Sequence, residues 1–530
     1  MEGASRARLA WPGRSRAAAA ARARSGPGLA GPGPGAYVRP VTETVALPLW
    51  GVVLLAALAG LALLDRLLVP GLRWVLHRRV NAVIGRLNAR LRLHIRPFKL
   101  TRREVLVDRL TSDPRVLEAV EAHATRTGEP QAVVLRRVAL YAREIVPAFK
   151  PYAYFQIGYR VARAVARVLY RVRIGYADDE GLSRIDPQAS VVFLVNHRSN
   201  MDYVLVAYLA AERTALSYAV GEWAQVWPLH TLIRSMGAFF IRRSSKDPLY
   251  RRVLERYVQM ATEAGVVQAV FPEGGLSRDG ALRPPKLGLV DYMLRTFDPA
   301  GRDLCFVPVG INYDRVLEDR ALLAQASGEE PRGLLATATV ATRFGLRQTV
   351  LWILGRWHRF GYACVNFGSP ISMRAWTAAR GVDFRTAAGE ARSAHLSALG
   401  AELMDAVARV VPALPVSLVA TALLEGGGTE PVGTLALHAR TQALMRRLSA
   451  AGAHVYVPRG DEEYAIGVGL RMLVQRRLVA EHGDGWVPVG RELPVLRYYA
   501  NAIAAQAGVR AAGPEAPSAA DRAWTAPSAG

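Results

Sequence analysis

The sequence predicts an α/β fold, in which a largely parallel sheet is flanked by N-terminal and C-terminal helical regions and preceded by one hydrophobic membrane segment. Short β-branched runs alternate with helical patterns across residues 186–371, as in sheets whose parallel strands are joined by helices. Helical periodicity is predicted to dominate residues 71–185 and 372–510. An apolar stretch lies within residues 43–70. With 530 residues, the chain can form two or three domains.

The composition is strongly basic, with 68 Lys and Arg against 44 Asp and Glu and a formal net charge of +24. This charge favours anionic lipid surfaces, phosphate-bearing ligands or acidic partners. Nucleic acid is not a predicted partner, because the arginines are spread along the chain without a nucleic-acid motif. Cys305 and Cys364 lie in strand-like runs and the histidines show no metal-ligand spacing, so neither a disulfide nor a bound metal is expected.

The N-terminal segment combines a basic tail with an apolar stretch. Residues 1–42 are mostly Ala, Arg, Gly and Pro, which predicts a disordered tail rather than a targeting peptide; residues 511–530 predict a second disordered tail. Thr44–Leu64 has no charged residue and is long enough to cross a hydrocarbon core of about 30 Å. Arginines are more frequent after it than before it, which predicts an inner (cytoplasmic) membrane protein whose bulk faces the cytoplasm. Because Pro48 and Pro70 bracket the stretch, a segment that only dips into the membrane is the alternative.

Helices are predicted on both sides of residue 128. Asp113-Pro114 is a helix start, Gly128-Glu129-Pro130 a break, and the next helix is expected to stop near Pro147. A further helical pattern sets arginines beside apolar residues: Arg160, Arg163, Arg167 and Arg171, with Val161, Val165, Val168 and Leu169. This pattern fits a helix that lies on anionic headgroups. A solvated surface helix packed on the core fits it equally well.

Six strands are predicted in the α/β region: Ala189–Val195, Leu216–Val220, Ala238–Ile241, Val266–Phe271, Leu304–Val309 and Tyr362–Phe367. Ligands of such sheets collect at the carboxyl ends of the strands. After about residue 372 no strand is expected, and helical patterns run through Ala387–Val411, Thr434–Ala450 and Ala465–Leu478.

A histidine and a carboxylate follow the first of these strands. Asn196 ends the strand, His197 comes next, and Asp202 follows five residues later at the start of a helical pattern. A carboxylate about one helical turn from the histidine can come within hydrogen-bond reach of it. It would fix the imidazole tautomer and leave the other ring nitrogen free to take a proton from a hydroxyl.

Other polar segments follow later strands. A pair of guanidiniums suits a phosphate, paired glycines let backbone N–H groups approach an anion, and a later lysine adds a cation. The residues concerned are Arg242 and Arg243; Gly274, Gly275, Ser277 and Arg278; Lys286; and Pro308, in the strand-ending segment Val307-Pro308-Val309. Four such segments at strand ends are hard to explain as independent surface features.

In this order the segments resemble the four blocks of the glycerolipid acyltransferases: H-x-x-x-x-D, G-x-F-F-I-R-R, F-P-E-G-G and V-P-V. The forms N-H-R-S-x-x-D and F-F-I-R-R, with the late L-R-Y-Y-A-N, are similar to the glycerol-3-phosphate acyltransferase branch, which shares features with the dihydroxyacetone-phosphate acyltransferases. The resemblance covers roughly residues 100–505.

The resemblance implies that His197 is the general base and Asp202 its orienting partner. It also implies an acceptor site formed by Arg242, Arg243, Glu273, Gly274 and Ser277, and a donor side shaped by Pro308. The third block of the family often reads E-G-x-R-S-R, whereas Leu276 stands here in place of the first arginine. Arg278 and Lys286 are the candidates to supply the missing charge.

The implied reaction transfers an acyl chain from acyl-CoA or acyl carrier protein to the sn-1 hydroxyl of glycerol 3-phosphate. It yields lysophosphatidate, in the first step of phospholipid synthesis, at a membrane and without a cofactor. Because a thioester is already activated, a base and an oxyanion site suffice. Ser199 and Cys305 lie in no nucleophile motif, so direct attack by the acceptor is favoured over a covalent enzyme intermediate.

Two alternatives stay open at this point. The acceptor can instead be dihydroxyacetone phosphate or a lysophospholipid, with the same chemistry. In the other alternative the chain is a non-catalytic, membrane-anchored protein that binds anionic lipid. Neither the identity of the donor nor the oligomeric state is predicted from the sequence.

Overall fold

The computed structural model describes residues 96–150, 154, 158–210, 216–220, 233–234, 237–242, 245–328, 359–425, 427 and 430–508. These residues all belong to one compact unit, Val75–Gly530. The predicted basic tail, the predicted membrane segment and the predicted C-terminal tail lie outside the described residues. Within the described ranges, no helix has both the length and the apolar character needed to cross a bilayer.

A mixed sheet lies at the centre of the described residues. Its strands are β1 (Arg171–Ala177), β2 (Ser190–Val195), β3 (Ser217–Val220), β4 (Phe239–Phe240), β5 (Gln268–Val270), β6 (Leu304–Tyr313), β7 (Tyr362–Phe367) and β8 (Ile371–Ser372). The order is β1-β7-β6-β2-β5-β3-β4, and β8 pairs with β6. Strands β6, β2, β5, β3 and β4 are parallel, whereas β7 and β8 run antiparallel to β6. All six predicted strands are therefore present, in a sheet that is largely but not wholly parallel.

Strand β2 is buried on both faces, which explains its unbroken apolar run. Val191, Phe193 and Val195 belong to one hydrophobic core, on one face of the sheet. Val192 and Leu194 belong to a second core on the other face. Because side chains alternate along a strand, each core takes every second residue. The strand between the two cores holds the His197 loop rigidly.

The helices before β1 follow the predicted start and stop signals. They are α1 (Pro97–Leu100), α2 (Arg103–Thr111), α3 (Pro114–Thr127), α4 (Gln131–Ile145) and α5 (Tyr159–Leu169). The Asp113 carboxylate accepts the Arg115 N–H at 3.1 Å and caps α3, and Gly128 ends that helix with φ +73°. Glycine suits this position because it has no Cβ to clash at positive φ.

Later helices surround the sheet and form the C-terminal region. Those between the strands are α6 (Asp179–Ser183), α7 (Met201–Ala210), α8 (Pro248–Glu263), α9 (Gly288–Leu294) and α10 (Asp319–Ala326). The C-terminal ones are α11 (Met373–Arg380), α12 (Gly389–Val410), α13 (Pro415–Leu424), α14 (Thr434–Ala450), α15 (Glu462–Gln475), α16 (Leu493–Ala500) and α17 (Ala504–Ala507). Pro415–Leu423 of α13 is buried throughout, so the helix shows no polar face from which periodicity could be read.

Two predictions about strands were wrong. Residues 171–177 were expected to be helical, but Arg171 begins β1, which pairs with β7. The alternation of Arg171 and Arg173 with Val172 and Ile174 has the period of a strand and could have indicated it.

Strands also occur after residue 372, where none was expected. Val432–Gly433 (β9), Val479–His482 (β10) and Gly485–Pro488 (β11) form a small antiparallel sheet. At two to four residues each, they are too short to produce a periodic signal.

Candidate active site

The loop after β2 is attached to the neighbouring strand by a side chain. Asn196 accepts the Ile311 N–H at 2.7 Å and donates to the Ile311 carbonyl at 2.9 Å. The amide thus continues the β2–β6 hydrogen bonding beyond the end of β2. As a result, the position of the backbone just before His197 is fixed relative to β6.

His197 and Asp202 lie in contact, as the sequence predicted. Nδ1 of His197 is 2.9 Å from Oδ2 of Asp202, and the two side chains are 1% and 0% exposed. The carboxylate accepts the Nδ1 proton, which makes Nε2 the basic nitrogen of the neutral ring. Among the described residues Nε2 has no hydrogen-bond partner. Phe271 and Tyr203 flank the ring, with centroids 4.3 Å and 5.2 Å from that of His197.

Asp202 accepts further hydrogen bonds from two backbone N–H groups and one phenol. The N–H groups of Arg198 and Ser199 donate to Oδ2 at 2.8 Å and 3.0 Å. The Tyr313 hydroxyl donates to Oδ1 at 2.5 Å. Burial raises the pKa of Tyr313 well above its ordinary value, so this phenol keeps its proton and remains a donor. Tyr313 lies at the end of β6, and its role was not predicted from the sequence.

Glu318 is a half-buried carboxylate near the dyad that sequence reasoning missed. It accepts from the Ser199 hydroxyl at 2.8 Å and from the Asn200 side chain at 3.1 Å. Burial raises its pKa. The Ser199 hydroxyl therefore donates its hydrogen bond to Glu318 rather than to His197. This contact agrees with the prediction that Ser199 is not a nucleophile. Cys305 is also buried, and burial raises the pKa of its thiol to about 12.

Glu273 and Ser277 hold the backbone of His197 from both sides. The His197 N–H donates to Oε1 of Glu273 at 2.7 Å, and the Ser277 N–H donates to the His197 carbonyl at 2.8 Å. The other Glu273 oxygen accepts the Arg283 N–H at 3.1 Å, and the Ser277 hydroxyl donates to the Ala281 carbonyl at 2.7 Å. Both residues were predicted to bind substrate, and that role stays a prediction; the contacts seen here are with the backbone of His197.

Replacing Glu273 by Gln is expected to change how stability depends on pH. Burial raises the pKa of Glu273 to about 7, so its contribution to stability is complete below the ordinary glutamate value and is lost as pH rises through 7. The free energy of unfolding of the wild type should therefore fall relative to Glu273→Gln between pH 5 and pH 8, by up to about 3 kcal/mol. Denaturant unfolding in detergent measures this difference. The exposed substitution Glu121→Gln is the control, and a difference that does not vary with pH would contradict the expectation.

The glycine loop leaves backbone donors available. Gly274 has φ +66°, a conformation that glycine adopts without strain. Among the described residues the N–H groups of Gly275 and Leu276 donate no hydrogen bond. The stem of Lys286 lies beside the loop, where a Cβ on Gly274 would be 2.6 Å from Cδ of Lys286. These groups together can hold an anion.

Arg283 is a further cation at this loop, and the sequence did not single it out. Its Nη1 donates to the carbonyl of Leu276 at 3.4 Å. The guanidinium therefore reaches the residue at which the family often has an arginine. The two residues predicted to supply the missing charge are Arg278, which is exposed, and Lys286, whose stem lies beside the loop.

The second predicted block is only partly described, because Arg243 lies outside the described residues. Arg242 pairs with Glu144 of α4 through two hydrogen bonds, of 2.9 Å and 2.6 Å. Its guanidinium also stacks on the rings of Tyr141 and Tyr250. The predicted role of Arg242 in acceptor binding stays a prediction, and this ion pair would have to open for it. Pro308 is buried within β6 opposite Leu194, and β6 continues to Tyr313, so the prediction that Val307-Pro308-Val309 ends a strand was wrong. The predicted role of Pro308 on the donor side stays a prediction.

The C-terminal region reaches the site through α16. Arg198, next to the base, is 2% exposed and donates to Asn312 at 3.0 Å, and its guanidinium lies 5.1 Å from the Tyr498 ring. The Tyr498 hydroxyl donates to the Arg198 carbonyl at 3.3 Å. Gly280 approaches so closely that an added Cβ would be 1.9 Å from the Tyr498 carbonyl oxygen. The L-R-Y-Y-A-N segment therefore supports both the His197 loop and the glycine loop.

Within the described ranges, no group of three or more His, Cys, Asp or Glu side chains has an arrangement that could hold a metal ion.

Comparison with known proteins identifies two regions. Residues 177–312 match the family model described as acyltransferase, and residues 349–506 match the glycerol-3-phosphate acyltransferase C-terminal region. The chain is 29% identical over 433 residues to a glycerol-3-phosphate acyltransferase of Pseudomonas putida, covering 77% of this chain and 49% of that protein. It is 30% identical over 294 residues to one of Xanthomonas axonopodis, covering 53% of this chain and 32% of that protein. The chain thus spans half or less of the length of these curated relatives.

Among solved structures, the 1-acyl-sn-glycerophosphate acyltransferase of Thermotoga maritima matches with 14% identity and a TM-score of 0.27. That match covers 57% of this chain and 97% of the other. These likenesses come from the sequence comparisons. The chain is similar to the acyltransferase family model in one region and to the glycerol-3-phosphate acyltransferase C-terminal region in another, and it matches curated glycerol-3-phosphate acyltransferases over part of their length.

Proposed function

We propose that the protein transfers an acyl chain from an acyl thioester to the sn-1 hydroxyl of glycerol 3-phosphate, giving lysophosphatidate. The observation that carries the proposal is the buried dyad of His197 and Asp202, whose histidine presents a basic Nε2. The family supports the choice of acceptor. The two named relatives are glycerol-3-phosphate acyltransferases.

In the proposed mechanism, Nε2 of His197 takes the proton of the sn-1 hydroxyl as its oxygen attacks the thioester carbonyl. Asp202 stabilises the imidazolium that forms. The hydroxyl of Tyr313 and two backbone N–H groups donate hydrogen bonds to the Asp202 carboxylate and keep it in place. Collapse of the tetrahedral intermediate breaks the carbon–sulfur bond. The leaving thiolate takes the proton from the imidazolium, so the products are an ester, a free thiol and neutral histidine.

We propose that the glycine loop binds the phosphate of the acceptor. The available N–H groups of Gly275 and Leu276 support this assignment, as do the cations of Lys286 and Arg283 near the same loop. In this assignment Arg283 supplies the positive charge that the family's third block often has from an arginine at the position of Leu276. In this assignment Glu273 and Ser277 act through the backbone of His197 rather than on the substrate.

The donor is proposed to be acyl-CoA or acyl carrier protein, and the reaction needs no cofactor because the thioester is already activated. We propose that the protein acts at the inner (cytoplasmic) membrane with the catalytic region facing the cytoplasm. The uncharged stretch Thr44–Leu64 and the arginines after it support this location.

Acyl transfer by membranes that contain the full chain tests this function. Radiolabelled glycerol 3-phosphate, dihydroxyacetone phosphate and a lysophospholipid are offered in parallel, each with both donor types. We expect labelled lysophosphatidate from glycerol 3-phosphate, above membranes without the protein. Preference for another acceptor would retain the dyad mechanism and change the substrate. If folded protein transferred an acyl chain to none of them, a non-catalytic lipid-binding role would take its place.

A further inference from the structure

Helix α5 buries two alanines and leaves three valines exposed, while Tyr159 and Leu169 at its two ends are half-buried against the core. Ala162 and Ala166 pack into the core beside α7. Val161, Val165 and Val168 are 47%, 38% and 54% exposed. Their spacing of four and three residues places them along one side of the helix. The sequence left two alternatives for this segment, a helix that lies on anionic headgroups and a solvated surface helix packed on the core. The three valines are not part of the core.

The same helix carries an unbalanced positive charge. Arg160, Arg163 and Arg167 are exposed, and none forms an ion pair with an acidic residue in the described part of the chain. No Asp or Glu occurs between residues 145 and 177. The arginines are therefore not neutralised by neighbours in sequence either.

The three residue types divide the helix surface. At 3.6 residues per turn, Ala162 and Ala166 face the core, the valines occupy a second sector and the arginines a third. This arrangement suits a helix lying in a membrane interface, where apolar side chains enter the acyl region and arginines extend sideways to the phosphates.

We infer that α5 docks on an anionic lipid surface, with its valines among the acyl chains and its arginines at the headgroups. The inference rests on the proposed membrane location of the acyltransferase and adds a contact distinct from the apolar stretch near the N-terminus. An acidic protein is the less suitable occupant, because valines are poor anchors of protein interfaces and no aromatic side chain accompanies them on this face. Helix α5 packs on α7, whose first turn carries Asp202, so docking places the dyad next to the bilayer.

A polarity-sensitive fluorophore on Val165→Cys in the full chain tests the inference. Both native cysteines are buried, so labelling is directed to the new thiol. Reconstitution into phosphatidylglycerol vesicles is expected to shift the emission to the blue, and phosphatidylcholine vesicles should shift it less. The matched control is Val133→Cys on α4, a valine that is 45% exposed and whose probe should not respond.

Charge variants separate lipid docking from simple proximity to the membrane. Arg160→Gln with Arg163→Gln should reduce the shift at Val165→Cys in phosphatidylglycerol by roughly half or more. Arg136→Gln with Arg446→Gln removes the same charge from other exposed positions and should leave the shift unchanged. Equal shifts at both labelled sites, or a shift produced by acidic carrier protein without lipid, would overturn the inference.

The assay of acyl transfer is read separately. An unshifted probe on protein that acylates glycerol 3-phosphate would remove the docking surface and leave the proposed reaction. A normal shift on folded protein without transfer would keep the surface and remove the reaction.

Discussion

His197→Ala is expected to reduce acyl transfer to glycerol 3-phosphate by about 10²–10⁴-fold, because the acceptor hydroxyl loses its base. Nε2 is the one basic atom that the dyad presents, and Asp202 is fully engaged by its own donors. The measurement is the rate of lysophosphatidate formation by wild-type and variant protein at equal amounts in membranes.

A matched substitution separates chemistry from packing. His454 stacks on Tyr176 with ring centroids 4.0 Å apart, much as His197 lies on Phe271 at 4.3 Å. His454→Ala therefore removes a stacked imidazole elsewhere and should retain the rate. Equal transfer by wild type and His197→Ala, above membranes without the protein, would exclude His197 as the base.

Asp202→Asn is expected to lower the rate by a similar factor, about 10²–10⁴-fold, with the histidine intact. The amide has no charge to stabilise the imidazolium. It also weakens the hydrogen bonds from the N–H groups of Arg198 and Ser199, which costs about 1–3 kcal/mol of the free energy of unfolding. Transfer rates and denaturant unfolding of the same preparations measure both effects.

Asp303→Asn is the matched control for that experiment. Asp303 is also buried and accepts two backbone N–H groups, from Leu304 and Arg374, and the Ser372 hydroxyl. It lies at the opposite end of β6 from Tyr313. We expect a comparable loss of stability and an unchanged rate. If the two variants lost the same amount of activity, Asp202 would have only a structural role.

Tyr313→Phe is expected to lower the rate of acyl transfer by less than His197→Ala or Asp202→Asn does, but by more than their control variants do. It removes a single donor to Asp202 and keeps the aromatic ring in the core. A hydrogen bond to a charged group is worth about 1.5–3 kcal/mol, so the rate should fall by about 10–100-fold. An unchanged rate would mean that the backbone N–H groups alone hold the carboxylate.

Short-range patterns in the sequence were sufficient to predict many of the helices and strands. The apolar run of β2 predicted a buried strand, and Asp113 and Gly128 marked the ends of α3 through their caps. The five-residue spacing of His197 and Asp202 predicted their contact. In contrast, β1 was missed because its first residue, Arg171, continued the helical spacing of the arginines before it, and β9 to β11 are too short to produce a periodic pattern.

By itself, the sequence determined the α/β core, the polar segments that follow β2, β4 and β5, and the dyad, since strand period, helix caps and a five-residue spacing act within one or two turns of chain. Only the tertiary structure decided what holds the dyad. Tyr313 lies 111 residues from Asp202, and Tyr498 lies 300 residues from Arg198. It also decided that Glu273 contacts the backbone of His197, that Arg283 reaches Leu276, and that the α5 valines face solvent. Such contacts depend on how strands and helices pack in space, and no local period or spacing encodes the partner of a side chain across the sheet.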